Sequence, residues 1–241
     1  MSGKPKAVFC LSSGKDSALA LMRVIKEGVY DIRYLLTTLN YNFKRISMHG
    51  IREELLDLQA TSIGIPLLKV WVSKGTNEEY EERMELVLKE LKSEGIEFVI
   101  FGDIFLEDLR EYRERNLAKI GLKAIFPLWK ESTGLLIREF IDSQFQAVIC
   151  CTNDNYLGDK WLGRNIDQSF ISELPDNVDP CGENGEYHTF CYAGPVFKNP
   201  IQFITGEKIF QPIDTKLNDR SIPEIAAVTP GFWYCDLIPA E

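Results

Sequence analysis

The stretch Ala7-Val8-Phe9-Cys10-Leu11-Ser12-Ser13-Gly14-Lys15-Asp16-Ser17 decides the reading of this 241-residue chain. Residues 7–11 form a continuous apolar run, which suits a strand buried on both faces of a parallel sheet. The run ends in small polar residues and passes straight into a helical pattern from Asp16, which Gly28 stops. The same rhythm repeats downstream. Strands are expected over residues 32–37, 67–72, 98–101, 123–126 and 147–152. Helices are expected over 51–63, 78–93, 107–120 and 132–143. This alternation predicts an α/β fold with a doubly wound, mostly parallel sheet, helices on both faces, and ligands at the carboxyl ends of the strands. Beyond about residue 152 the rhythm fades into turn-rich sequence such as Pro175-Asp176-Asn177 and Asn184-Gly185. Short strands are expected there over 196–204 and 208–213.

The net charge of -9 counts against bulk nucleic-acid binding. The basic N-terminus lacks the apolar core of a signal peptide, and no stretch is long enough to span a bilayer, so a cytoplasmic location with no membrane partner is expected. The six cysteines form no CxxC pair. Cys10, Cys150 and Cys151 lie in strand-like runs and are expected to be buried, reduced thiols. Cys181 and Cys191 flank a more polar loop. Phe232, Trp233 and Tyr234 form an aromatic run that suits either core packing or an apolar contact surface, such as a homodimer interface.

A strand followed by small residues and a helix N-terminus presents unpaired amides and a positive dipole end, both suited to phosphate. Gly14 permits close approach or unusual dihedrals, the hydroxyls of Ser12, Ser13 and Ser17 are donors, and Lys15 adds positive charge. The spacing is not that of a Walker loop, because Asp16 follows the lysine. An aspartate beside phosphates implies Mg²⁺, or else it supports the loop by hydrogen bonds. The loop resembles the S-G-G-x-D-S signature of the PP-loop ATP pyrophosphatases, which split ATP into AMP and pyrophosphate. Ser13 stands where that family usually has its first glycine.

A second group of polar residues lies in Cys181-Gly182-Glu183-Asn184-Gly185-Glu186-Tyr187-His188-Thr189. Carboxylates there can hold an amine or Mg²⁺, and His188 can move protons near neutral pH. An ordinary solvated surface turn is the alternative. His49, the other histidine of the two in the chain, sits in Ser47-Met48-His49-Gly50. Behind the phosphate loop, Gly102-Asp103-Ile104, Pro127-Leu128-Trp129 and the 182–189 segment occur in an order that resembles the diphthine–ammonia ligase family, over about residues 7–197. That family usually continues its Gly-Glu-x-Gly-Glu-Tyr element with Glu-Thr. The Glu-Tyr-His-Thr form here is similar to a bacterial branch, which implies an acceptor other than diphthine.

The resemblance implies a HUP-type, Rossmann-like ATP-binding domain over residues 1–101 and a smaller substrate lobe over 102–241. It implies ATP and Mg²⁺ as cofactors, and as reactants a small or protein-borne carboxylate with ammonia or an amine. Adenylation of the carboxylate would release pyrophosphate, and amide formation would release AMP. It places Asp16, Asp103, Glu183, Glu186 and His188 in the chemistry. Phe9, Ser12, Ser13, Gly14, Lys15, Asp16, Ser17, Thr37 and Thr38 fall at the nucleotide, with Asp16 toward the metal. Arg113 and Arg115 read as part of a solvated, charged helix face. Two other readings remain: a PP-loop tRNA-modifying enzyme, and an ATP-binding regulatory module without turnover.

Overall fold

The computed structural model describes residues 3–73, 76–212 and 231–240. The elements run β1 (Lys6–Cys10), α1 (Lys15–Glu27), β2 (Asp31–Asn40), β3 (Arg45–Ile46), α2 (Glu53–Ile63), β4 (Leu67–Val72), α3 (Asn77–Ser93), β5 (Ile96–Ile100), α4 (Glu107–Lys119), β6 (Lys123–Ile125), α5 (Thr133–Asp142), β7 (Gln146–Asn153), α6 (Gln168–Glu173), β8 (Tyr187–Ala193), β9 (Phe203–Pro212) and β10 (Gly231–Pro239). β4, β2, β1, β5 and β6 pair in parallel in that spatial order, and the two-residue β3 adds antiparallel to the end of β2. The strand order reverses direction between β1 and β5. Both neighbouring crossovers leave this point in opposite directions, which opens a crevice at the strands' carboxyl ends.

β1 has the two-faced burial its sequence predicts. Ala7 and Phe9 pack into the larger core, with Leu19, Leu21 and Val24 of α1 and Leu55 and Leu56 of α2. Val8 faces the other way, into a core built with Leu36, Val70 and Met84, Leu88 and Leu91 of α3. Helix α1 stops at Gly28, whose φ of 65° is a left-handed conformation that glycine adopts without steric cost.

The second half differs from the expected rhythm. Residues 147–152 do form a strand, but β7 joins a separate antiparallel sheet ordered β8-β7-β10-β9. The parallel sheet itself continues through β6, beyond residue 101, and the change of sheet falls between Ile125 and Gln146. Residues 196–202 are irregular, and β9 covers the end of the first expected C-terminal strand and most of the second; Ile213 lies outside the described residues. Phe232, Trp233 and Tyr234 sit in β10, between β7 and β9, where Trp233 packs at a tilt against Phe210 and donates to Asp154. Their rings are half-buried within this sheet.

The two sheets share the larger core, and a polar clasp joins them at its margin. Arg52, just before α2, reaches both oxygens of Asp236 on β10 at 2.9 and 2.6 Å, and Arg45 of β3 lies 2.8 Å from the same carboxylate. The Arg52 hydrogen bonds, with help from Arg45, hold the Asp236 carboxyl below the ordinary aspartate range against a smaller opposing effect of burial. A depressed carboxyl pKa stabilises the fold above the unfolded-state value, and that contribution is lost as pH falls through the folded-state value. Asp236→Ala is expected to lower stability by about 1–2 kcal/mol at neutral pH, allowing for partial solvent exposure. The gap from wild type should close below about pH 4. Thermal melts across acid pH check this; a gap that stays constant means that the loss is one of packing.

Candidate active site

The loop between β1 and α1 holds an unusual backbone. Ser13 has φ 69°, a left-handed conformation that is costly for a residue with a side chain. This is the position where the PP-loop signature carries glycine. Ser13 is buried, and its hydroxyl has no hydrogen-bond partner. The conformation is fixed from outside the loop. The Cys191 amide of β8 donates to the Ser13 carbonyl at 2.9 Å, and the buried Gln59 side chain of α2 donates to both the Ser13 and Cys191 carbonyls at 3.1 and 2.7 Å. Gly14 is needed for space, since its φ of -87° suits any residue: an added Cβ would lie 2.8 Å from His49 Cε1 and 3.3 Å from the Thr189 carbonyl. Gly102, after β5, is crowded in the same way, with an added Cβ falling 3.0 Å from the Ser17 backbone nitrogen.

Around this turn lies a cleft of roughly 690 Å³, at the carboxyl ends of β1, β2 and β5. Ser12, Lys15, Asp16, Ser17, Thr37, Thr38, Asp103, Glu183 and His188 all line it. Ser12 and Ser17 hydroxyls are 3.1 Å apart, and Thr37 donates to the Leu11 carbonyl at 2.7 Å. Phe9 does not reach the cleft: it is fully buried, because alternation along β1 turns it into the larger core, and Cys10 faces the cleft in its place. Cys10 is therefore half-buried, whereas Cys150 and Cys151 are buried as expected. Burial raises the pKa of every thiol in the chain, Cys10 and Cys151 to about 12, so none is poised as a thiolate.

The charged groups divide into struts and open groups. Lys15 is buried; its ammonium pairs with Asp16 at 2.8 Å, donates to the Cys181 carbonyl and lies 4.9 Å from the centre of the Tyr187 ring. Burial opposes that charge, but the surrounding groups, Asp16 first among them, together outweigh it, so Lys15 stays protonated. Asp103 is paired with Arg113 of α4, whose Nε lies 2.6 Å from Oδ2 without its N–H pointing along that line, while an Nη donates to Oδ1 at 3.2 Å. Arg113 also stacks on Phe101 at 4.2 Å and is drawn in from the solvated face expected for it, whereas Arg115 is exposed. Glu186 does not face the cleft. Its buried carboxylate accepts from the Asp179 and Asn184 amides and the Asn184 side chain at 3.0, 2.9 and 3.1 Å, so it folds the loop and its oxygens are occupied.

Glu183 is the open carboxylate. Its buried Oε2 has no partner. Desolvation, then repulsion from Asp16, raises its pKa to about 7, against the lowering effect of Lys15. The His188 and His49 rings lie with centres 4.8 Å apart and planes tilted by 37°. His49 Nδ1 lies 3.0 Å from the Thr189 carbonyl, which can only accept, so Nδ1 carries the proton and Nε2 holds the lone pair. Burial lowers the His49 pKa to about 4, with the Lys15 charge acting in the same direction and the Thr189 bond opposing. Burial, His49 and Lys15 lower that of His188 further below the ordinary value. His188 is therefore a neutral ring at physiological pH, which corrects its reading as a group that gains and loses a proton near neutrality. Gln59 and Thr189 were not singled out in the sequence as functional. Thr189 accepts from the Lys15 amide at 3.0 Å and fixes His49 through its carbonyl, so one residue touches both the phosphate loop and the histidine pair.

Similarity to known proteins follows the same division of the chain. The family profile described as diphthamide synthase N-terminal domain matches residues 5–124, and that described as diphthamide synthase C-terminal domain matches residues 132–218. The diphthine–ammonia ligase of Rattus norvegicus is 29% identical over 256 residues, covering 92% of this chain and 94% of its own length. That of Homo sapiens is 29% identical over 232 residues, 85% of each chain. Among solved structures, the U34-tRNA thiolase NcsA from Methanococcus maripaludis aligns over 58% of each chain, with 18% identity and a TM-score of 0.38.

The strained turn yields a direct test. Ser13→Gly removes a left-handed side chain and a buried hydroxyl without a partner, at some cost in unfolded-chain entropy. It is expected to raise stability by about 1 kcal/mol. A lower melting temperature would mean that the Ser13 hydroxyl makes a stabilising interaction.

Proposed function

The chain belongs to the diphthamide synthase family of PP-loop, ATP-dependent ligases, and from that premise we propose that it adenylates a carboxylate and transfers the acyl group to ammonia or a simple amine. The observation that carries the reading is the cleft at the ends of β1, β2 and β5, where the first turn of α1 meets a half-buried carboxylate, Glu183, whose Oε2 has no partner. Amides at the start of α1 and the hydroxyls of Ser12 and Ser17 bind the phosphates, while Gly14 lets His49 and Thr189, and Gly102 lets the first turn of α1, pack closely against the loop that presents them. Thr37 and Thr38, at the end of β2, face the sugar and base.

Mg²⁺ fits this donor set. Among the described residues no three His, Cys, Asp or Glu side chains converge to hold a metal alone. Mg²⁺ is typically held by one or two carboxylates together with substrate phosphates, and Asp16 would supply such a carboxylate. When bound, the ion supplies charge neutralisation to the pyrophosphate leaving group. Lys15 and Arg113 are the cationic residues in the cleft lining, and each is paired with a carboxylate. Their part is to hold Asp16, Asp103 and the 181–187 loop in place.

The first step forms a bond between a carboxylate oxygen of the substrate and the α-phosphorus of ATP, and breaks the bond to pyrophosphate. In the second, the amine nitrogen bonds to the acyl carbon and AMP departs with the electron pair of the broken C–O bond. The nitrogen loses one proton, which Glu183 accepts; a carboxyl titrating near 7 is well placed to take it and return it to water. The acyl group belongs to a small molecule or to a side chain of another protein, and the His-Thr ending of the loop, distinct from the family's usual Glu-Thr, favours an acceptor other than diphthine. Because every thiol is held protonated, the site gives no support to sulfur transfer onto tRNA.

ATP binding measured calorimetrically with Mg²⁺ comes first. Gly14→Val drives a side chain into His49 and Thr189 and is expected to weaken ATP binding by about 100-fold or more, some ~3 kcal/mol. Undiminished binding by the folded variant would remove the phosphate loop from the site. A screen of carboxylates for exchange of labelled pyrophosphate into ATP then identifies the acyl substrate. Products of ADP and phosphate would sink the adenylation step. Once the carboxylate is identified, amide formation measured at a saturating, constant concentration of the neutral amine should rise with pH through about 7 as Glu183 ionises. Glu183→Gln should remove that limb while retaining pyrophosphate exchange. A limb unchanged in the variant assigns the proton to another group.

A further inference from the structure

We infer that His49 and His188 form the subsite for the nucleophile, and that this subsite takes a small neutral amine, ammonia in the simplest case, in preference to its ammonium ion. The inference rests on the ligase reading above. Its basis is geometric. Both rings line the cleft and pack against each other, tilted, with centres 4.8 Å apart and an angle of 37° between their planes. The tautomer of His49 is set by its bond to the Thr189 carbonyl, which leaves the Nε2 lone pair without a proton. Nε2 of His188 is buried and without a partner, on a residue that is half-buried at the cleft. A buried polar atom without a partner is rare and costly, and one lining a cleft is most simply satisfied by what the cleft binds.

Several ligands could in principle satisfy such atoms, and the surrounding charges choose among them. The charge that bears on both rings is Lys15 on α1, and it acts with burial to keep both imidazoles neutral. Burial, the larger of the two effects, acts equally against any cation placed beside them, and the Lys15 charge, partly compensated by Asp16, adds to it. A carboxylate has no proton to offer the His49 lone pair at neutral pH, and a phosphate ester, with a second pKa of about 6, carries one only in its minor form. A neutral amine has a lone pair and N–H donors. It meets the His49 acceptor, and it meets the His188 ring with whichever partner that tautomer requires. Held this way the nitrogen arrives unprotonated, as attack on an acyl carbon demands.

The chain contains two histidines, so labelling histidine with nitrogen-15 gives two imidazoles to follow in the full-length protein, and His49→Gln assigns them. We would titrate the labelled protein with ammonium chloride, using potassium chloride as a control for cation charge and trimethylamine, whose neutral form has no N–H, as a control for hydrogen bonding. The expected result is a saturable shift of an imidazole nitrogen with ammonia alone. Its apparent affinity for total ammonium should tighten by about tenfold per pH unit as the neutral form grows. No shift, a shift shared with potassium or trimethylamine, or an affinity independent of pH would overturn the inference. The readout needs no acyl substrate. Loss of ATP binding would count against the phosphate loop, whereas intact ATP binding with silent imidazoles counts against the histidine pair.

Discussion

The hydrogen bond from the Cys191 amide to the Ser13 carbonyl carries an unusual share of this architecture. Ser13 sits in a backbone conformation that the isolated chain would avoid, and inside its own loop only a long bond from the Gly14 amide to the Ser12 hydroxyl, 3.3 Å, spans it. Strand β8, from the second sheet, supplies the donor, and Gln59 ties the same carbonyl to that of Cys191. The start of α1, and hence the direction of its amides, follows from that turn. So does the position of Gly14 against His49 and Thr189. The nucleotide end of the cleft therefore depends on contacts more than a hundred residues away in sequence, and these are satisfied only once both sheets have formed.

Much of the first sheet was legible because its signals are local. An apolar run, small polar residues and an amphipathic pattern over residues 7–28 specify strand, turn and helix within about twenty positions. The second sheet was not, because β8 follows directly on a segment dense in glycine, asparagine and acid, and its pairing partners, β7 and the phosphate loop, are distant. The same contrast holds within the site. Residues 12–17 are placed around the cleft by the turn that contains them. Phe9 lies on a strand buried on both faces, where apolar character does not tell one face from the other. Glu183 and Glu186 look equivalent by spacing, yet one faces the cleft and the other closes the loop. Arg113 reads as surface in a helix of charges, and Gln59 gives no signal at all. Their roles come from tertiary neighbours.

The electrostatic design is economical in a particular sense. An acidic protein presents a cleft whose cations are already engaged, Lys15 by Asp16 and Arg113 by Asp103. These pairs cancel charge where polyphosphate would otherwise meet bare carboxylates, and they leave Glu183 as the acid that burial and Asp16 make hard to ionise. The two imidazoles, kept neutral by burial, add polarity without charge. Reactivity is thus concentrated at a few atoms in a surrounding that is polar but mostly compensated.

Thr189 has a consequence for how such a protein can be taken apart. Its hydroxyl caps the phosphate loop, its carbonyl orients His49, and two residues along the same strand Cys191 holds Ser13. An excised parallel sheet would keep every residue of the signature loop and lose what bends it. Modularity, the exchange of halves by recombination, is therefore restricted at this junction: a foreign second half must bring a strand that matches both the loop and the histidine, or the transplanted half will have the letters of the motif without its shape.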